Sequence, residues 1–207
     1  MNGYATRRRA QRQSETGGKL TTLEFFGCAA KFESHHLRGM AEDKEEDTLV
    51  IIKPDSFWRH LGQQVEGRIQ ALGLIVVAAR TLAGGENLSE EKWREFYFPA
   101  IGDRPPCLTG TSKYLAYGPV KAIHLRGAGA VRRVRQAVGA TRPWQAEPGT
   151  IRGDFWPGAT EANAPFRLKF QQPGDEQFLF NLIHASDSEP SFNREVRFFP
   201  QLTVSRP

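Results

Sequence analysis

The chain has 207 residues, 39% hydrophobic and 25% charged, which suits one packed domain with additions and not two full domains. No apolar run approaches the length of roughly 18 residues that a membrane-spanning helix needs. The formal net charge is +5, but residues 1–39 hold seven Lys/Arg against three Glu, so the basic character belongs to the N-terminal stretch and the body is near neutral.

The two cysteines, Cys28 and Cys107, form no C-x-x-C or paired Cys/His spacing, which argues against a zinc site and for a reduced, cytoplasmic setting. His35 and His36 lie near Cys28 in a polar stretch and read as solvated side chains. Residues 1–46 open with Arg7-Arg8-Arg9, continue with Gln, Ser, Thr and Gly, and show no lasting period. They are expected to form a disordered or loosely ordered basic extension, with the folded domain spanning residues 47–207. The regular pattern begins soon after Met40, which marks that residue as a candidate translation start.

From Thr48 the elements follow in order. Thr48 to Lys53 is a near-continuous apolar run, as a central strand requires. Leu61, Val65, Ile69 and Leu72 recur at helical spacing, and Gly73 stops that helix. Leu74 to Leu82 is a second strand; the stretch from Leu72 to Arg80 is the longest apolar run and reads as buried. Ser89, followed by Glu90 and Glu91, caps a helix and sets acids against its dipole. Val120 to Leu125 is a third strand, and Ala130 to Val138 is a basic helix closed by Gly139. Ala164 to Phe170 and Gln177 to Phe180 flank a Pro-Gly turn and read as an inserted β-hairpin. Phe178 to His184 is a fourth strand, and Pro190 starts a last helix with Phe192, Val196 and Phe199 on one face. Strands and helices in strict alternation suit an α/β (α+β) sandwich of about 150 residues.

Phosphate chemistry leaves few alternatives. The P-loop pattern is missing, and Gly127-Ala-Gly-Ala-Val-Arg132 lacks the third glycine of a dinucleotide fingerprint, so its glycines are assigned to a turn. Asn181-Leu-Ile-His184-Ala-Ser186-Asp187-Ser188 places a histidine at the end of an apolar strand, before residues that suit a turn and an N-cap. Eleven residues on, Glu195 falls on the next helix, where a carboxylate can hold one ring nitrogen and leave the other to attack phosphorus. Taken alone, a strand-end histidine is more often structural than catalytic. Lys53 at the end of the first strand, Arg135 just before Gly139, and Arg152 in the loop Pro148 to Asp154 supply the cations that phosphoryl transfer needs, with Thr141 on the other side of Gly139.

Thr48–Asp55, Arg104-Pro105, Gly118-Pro119-Val120, Pro148–Asp154 and the NLIHASDS stretch, in this order, resemble the nucleoside diphosphate kinase family over about Glu46 to Phe199. The histidine stretch together with PGTIRGDF is highly specific. The resemblance implies a ferredoxin-like sandwich with a four-stranded antiparallel sheet, magnesium (Mg2+) carried by nucleotides, and ping-pong transfer through a phosphohistidine. It also implies a homo-oligomer, usually a tetramer or hexamer. It matches His184 to the phosphorylated histidine, Glu195 to the carboxylate that orients it, and Ser186 to the serine beside it. Lys53, Tyr97 and Asn181 match residues that contact the transferring phosphate or the sugar. Arg104, Arg135, Thr141 and Arg152 match the phosphate-binding set, Asp187 an aspartate near the metal, and Arg59 a structural arginine. Three departures stand out. Pro106 and Cys107 follow Arg104-Pro105 where the family has an aromatic residue, Ala185 replaces a glycine, and the segment from about 156 to 180 is an insertion.

The expected activity is transfer of the terminal phosphoryl group of ATP or another nucleoside triphosphate to a nucleoside diphosphate. Two rivals are a catalytically weak nucleotide-binding regulatory domain of the same fold, and a nucleic-acid-binding protein working through the basic arm. The retained histidine and cations oppose the first. The near-neutral body leaves the second at most a weak side activity.

Overall fold

Four strands and seven helices make up the described part of the chain, residues 43–84, 86–102, 105–155 and 180–202 of a computed structural model. The strands are β1 (Glu45–Ile52), β2 (Ile75–Leu82), β3 (Val120–Ala128) and β4 (Ile183–Ala185). The helices are α1 (Pro54–Trp58), α2 (Gly62–Gln70), α3 (Glu90–Ile101), α4 (Pro105–Tyr117), α5 (Ala130–Val138), α6 (Ile151–Phe155) and α7 (Glu189–Glu195). Residues 1–42, Met40 among them, and the hairpin residues 164–179 lie outside the described residues, as does Arg104.

The sheet is antiparallel throughout, in the order β2-β3-β1-β4, the ferredoxin-like arrangement. β1 is central because it is apolar on both faces. Leu49 and Ile51 join Trp93, Phe96 and Tyr97 of α3, Tyr114 and Leu115 of α4 and Phe192 of α7. Val50 and Ile52 point the other way and join Val65 and Ile69 of α2, Val134 and Val138 of α5 and Ile151 of α6. A strand with alternate residues in two cores has no solvent face, so its apolar run is continuous.

Local chemistry sets the element ends. Ser89 caps α3, its hydroxyl accepting from Lys92 N at 3.3 Å, and Ser188 caps α7 by accepting from Ser191 N at 3.3 Å. Gly139 ends α5 at φ 86°, ψ −178°, a conformation essentially restricted to glycine. A Cβ there would also stand 2.4 Å from the Thr150 hydroxyl.

Four expectations need correction. β2 is not buried: it is an edge strand, with Ile75 63% and Val76 47% exposed, because its apolar run faces a core on one side only. The loop expected over Pro148 to Asp154 turns into α6 at Ile151, with the Asp154 carboxylate accepting from Gly149 N at 2.7 Å. The fourth strand is three residues long, and Phe180 to Leu182 lie outside it. Leu182 has φ 69°, a left-handed value rare for leucine, which breaks the ladder just before Ile183. Val196 and Phe199 are buried as expected, but beyond α7, where the chain continues as a 3-10 turn (Val196–Phe198).

Candidate active site

Ile52 and Ile183 are register partners, so the C-terminal end of β1 and the start of β4 meet, and the residues beyond them share one end of the sheet. Lys53 follows β1 and Asn181 precedes β4. The Lys53 ammonium donates to Asn181 Oδ1 at 2.7 Å, and the Asn181 amide donates to the Thr141 carbonyl at 2.9 Å. Asp55, the second residue of α1, secures the kink at Leu182. Its carboxylate accepts from Leu182 N at 2.9 Å and from the Tyr114 hydroxyl at 2.8 Å. The Leu182 carbonyl in turn accepts from Lys53 N and from the Ser56 hydroxyl, each at 2.8 Å. Four bonds thus offset the left-handed backbone, which costs about 1–2 kcal/mol.

His184 is central on β4, opposite Ile51. Its side chain is 15% exposed, with Phe96 and Tyr97 edge-on to the ring at centroid distances of 5.2 and 5.6 Å. Nε2 faces Glu195 Oε2 at 2.9 Å, and the same oxygen accepts from the Ser186 hydroxyl at 2.7 Å. Burial pushes the Glu195 carboxyl up, but the charge and hydrogen bond of His184 and the Ser186 hydroxyl prevail and hold it below its ordinary value. An ionised carboxylate accepts only, so in the neutral ring Nε2 is the nitrogen that carries the proton and Nδ1 the one that keeps the lone pair.

Cations surround this ring. Arg152, buried on α6, donates to three main-chain carbonyls: Nε to Asn181 at 3.2 Å, one terminal nitrogen to Gly139 at 2.9 Å, and the other to Ile183 at 2.6 Å. Burial and the charge of Arg135 lower its pKa to about 10. Lys53 is lowered further, to about 7, by burial first and the Arg152 charge second, with Asp55 opposing. The Arg135 guanidinium makes no hydrogen bond or ion pair among the described residues, and Arg135 lines the cavity. Arg59 donates to the Phe155 carbonyl and takes no part in this cavity's lining.

A cavity of about 410 Å³ collects these groups. Lys53, Tyr97, Arg135, Thr141, Arg152, Asn181, His184, Asp187 and Glu195 all line it, while Ser186 sits behind Glu195, fully buried. Arg104 lies outside the described residues. Four polar lining residues escaped the sequence reading: Thr111, Arg142, Ser191 and Arg194. Ser191 and Arg194 recur one turn apart on α7 ahead of Glu195, a helical spacing that was available as a signal. Thr111 and Arg142 carried none. Two lining hydroxyls, of Tyr97 and Thr111, are buried without a hydrogen-bond partner.

Asp187 bears on metal binding. Its Oδ1 accepts from the Ser191 hydroxyl at 2.5 Å and the Ser188 hydroxyl at 3.0 Å, and the Ser191 bond is the largest cause of a lowered carboxyl pKa. Among the described residues no group of three His, Cys, Asp or Glu could hold a metal ion. One ionised carboxylate at the cavity wall fits a hard cation that brings most of its own oxygen ligands.

Comparisons with known proteins point to one family. The sequence profile of the family "Nucleoside diphosphate kinase" matches residues 46–203. The nucleoside diphosphate kinase of Pyrococcus abyssi is 32% identical over 160 residues, covering 77% of this chain and 87% of that protein. That of Streptococcus thermophilus is 35% identical over 154 residues, covering 74% and 97%. Among solved structures, the Halobacterium salinarum nucleoside diphosphate kinase in complex with CDP superposes with a TM-score of 0.58 at 32% identity, covering 75% of this chain and 88% of that one. A Borrelia burgdorferi nucleoside diphosphate kinase with bound vanadate and ADP, a transition-state mimic, gives 0.61 at 28% identity, covering 79% and 92%. The profile spans most of the chain and the relatives are covered almost end to end, so this chain belongs to the nucleoside diphosphate kinase family.

Proposed function

We propose that this chain is a nucleoside diphosphate kinase that moves the terminal phosphoryl group of ATP, or another nucleoside triphosphate, to a nucleoside diphosphate by way of His184. One observation carries the reading: Glu195 occupies Nε2 of His184 while Lys53, Arg135 and Arg152 line the same cavity. A histidine with one nitrogen tied, in a cavity that cations also line, is suited to act as a nucleophile toward phosphorus. The CDP and ADP held by the two solved relatives support a nucleotide in this cavity.

In the first half-reaction Nδ1 attacks the terminal phosphorus, an N–P bond forms, and the P–O bond to the nucleoside diphosphate breaks. The diphosphate leaves with the electron pair of that bond. Glu195 keeps the proton on Nε2 and balances the charge that the ring gains, and Ser186 holds Glu195. Lys53, Arg135 and Arg152 face the charge on the transferring oxygens, and Asn181 holds Lys53 in place. Tyr97 and Thr141 complete the wall beside the phosphates and sugar, with Arg104 assigned to the same set. The second half-reaction reverses these steps with another diphosphate. Magnesium, when bound, would be held by the nucleotide phosphates with Asp187 as the protein's carboxylate, and would neutralise phosphate charge.

The reading extends to a cytoplasmic homo-oligomer, a tetramer or hexamer. The exposed apolar edge at Ile75 and Val76 supports association. No described helix is long and apolar enough to cross a membrane.

The test is direct. Incubation with γ-labelled ATP and magnesium gives an acid-labile, base-stable phosphoprotein that returns its label to added diphosphate. His184→Ala abolishes labelling and transfer while the unfolding midpoint stays near that of the parent protein. Near-normal transfer by His184→Ala would overturn the mechanism.

A further inference from the structure

Helix α4 carries three hydroxyl side chains with different fates. Thr109 accepts from the Arg94 guanidinium at 2.7 Å. Ser112 donates to the Leu108 carbonyl one turn back, at 2.7 Å. Thr111 stands between them, 3% exposed, and its hydroxyl has no partner. The bond back to the preceding turn that Ser112 makes is open in principle to any helical threonine, yet Thr111 does not make it. Buried hydroxyls are nearly always paired, because leaving one unmade forfeits its bonds to water without return.

Position explains the exception. Thr111 lines the cavity that holds Lys53, Tyr97, Asn181 and His184. It shares a helical stripe with Tyr114, three residues on, whose hydroxyl reaches Asp55 just past Lys53. Thr111 thus lines the cavity from α4, and Lys53 and Asn181 line it from the ends of β1 and β4. The Tyr97 hydroxyl, also buried and unpartnered, belongs to this wall, and the Lys53 ammonium lies 5.4 Å from the Tyr97 ring centre.

We propose that Thr111 is a substrate-binding residue whose hydroxyl hydrogen-bonds an oxygen of the sugar–phosphate part of the bound nucleotide, completing its own bonding only when the site is filled. The inference rests on the reading of this cavity as a nucleotide site. The contact is made beside Lys53 and Asn181, so it is blind to the base. An apolar residue of the same shape would fill the space and lose the bond. Thr111 thus trades stability of the empty protein for grip on the substrate.

The full-length protein and its Thr111→Val and Thr111→Ser variants test this by calorimetric titration with ADP and with CDP, alongside urea unfolding without nucleotide. Thr111→Val weakens both nucleotides by a common factor of about three to ten, the worth of one hydrogen bond. Its unfolding midpoint without nucleotide is equal to or higher than that of the parent, and Thr111→Ser recovers most of the affinity. Unchanged affinity in Thr111→Val means that solvent serves the hydroxyl, and overturns the proposal. So does a loss confined to one base, or a loss that comes with a matching fall in stability. A parent protein that binds neither nucleotide nor accepts label from ATP overturns the kinase reading itself; a parent that does both, with Thr111→Val indistinguishable from it, overturns only the assignment of Thr111.

Discussion

Burial brings the Lys53 ammonium down toward neutral pH. Its ordinary value is 10.5 and burial, joined by Arg152, brings it to about 7. Between those two values the unfolded chain holds a proton that the folded chain has lost, so this group's contribution to stability rises with pH across the window. A bound phosphate restores the charged form, since an anion beside an ammonium raises its pKa. Nucleotide binding at pH 8 is therefore expected to take up protons, seen as a binding enthalpy that depends on the buffer's ionisation heat. Removing the ammonium in Lys53→Met should abolish that dependence; equal heats in all buffers with the parent protein would contradict the assignment. The sequence displayed Lys53 at the end of an apolar strand and Glu195 on the helix after the histidine stretch; His184 was legible too, although it stands in the middle of β4 and not at the strand end expected for it. It did not display Asp55 as the clamp on Leu182, or Thr111 as a cavity hydroxyl. A single aspartate or threonine has no periodicity, and its partners are 127 residues away in one case and wanting in the other.

At the scale of elements, patterns with a single cause were legible. The bounds of α5 follow from its apolar spacing and Gly139, and the cap of α3 follows from Ser89. Patterns with two possible causes were not. An apolar run such as Ile75–Leu82 is written the same way for a buried strand as for an edge strand awaiting a cover. The short β4 was hidden because the left-handed turn at Leu182 is imposed from outside by Asp55, Lys53 and Ser56. Gly139 joins α5 to the site, since its carbonyl accepts from Arg152 and its α-carbon faces Thr150. Gly139→Ala should cost about 2 kcal/mol or more, from the glycine-only backbone and the clash together. Urea unfolding measures it, and a midpoint equal to that of the parent would show that the turn relaxes freely.

For the whole molecule, the ferredoxin-like sheet is covered by helices on both faces, and its β2 edge keeps apolar side chains in solvent. If that edge joins copies of the chain, Ile75→Lys with Val76→Glu lowers the mass measured by light scattering while each chain stays folded. An unchanged mass would move the interface elsewhere. Arg152 carries a different consequence at this scale. Among the described residues its guanidinium donates to main-chain oxygens of two separate segments, at Gly139 and at Asn181 and Ile183, so it braces the fold as well as facing phosphate. A survey of variants scored separately for abundance and for turnover would sort the two roles. Changes at position 184 would leave abundance intact and erase turnover, whereas changes at 152 would deplete the protein itself. Inactivity at 152 would then say little about chemistry until the amount of folded protein had been measured.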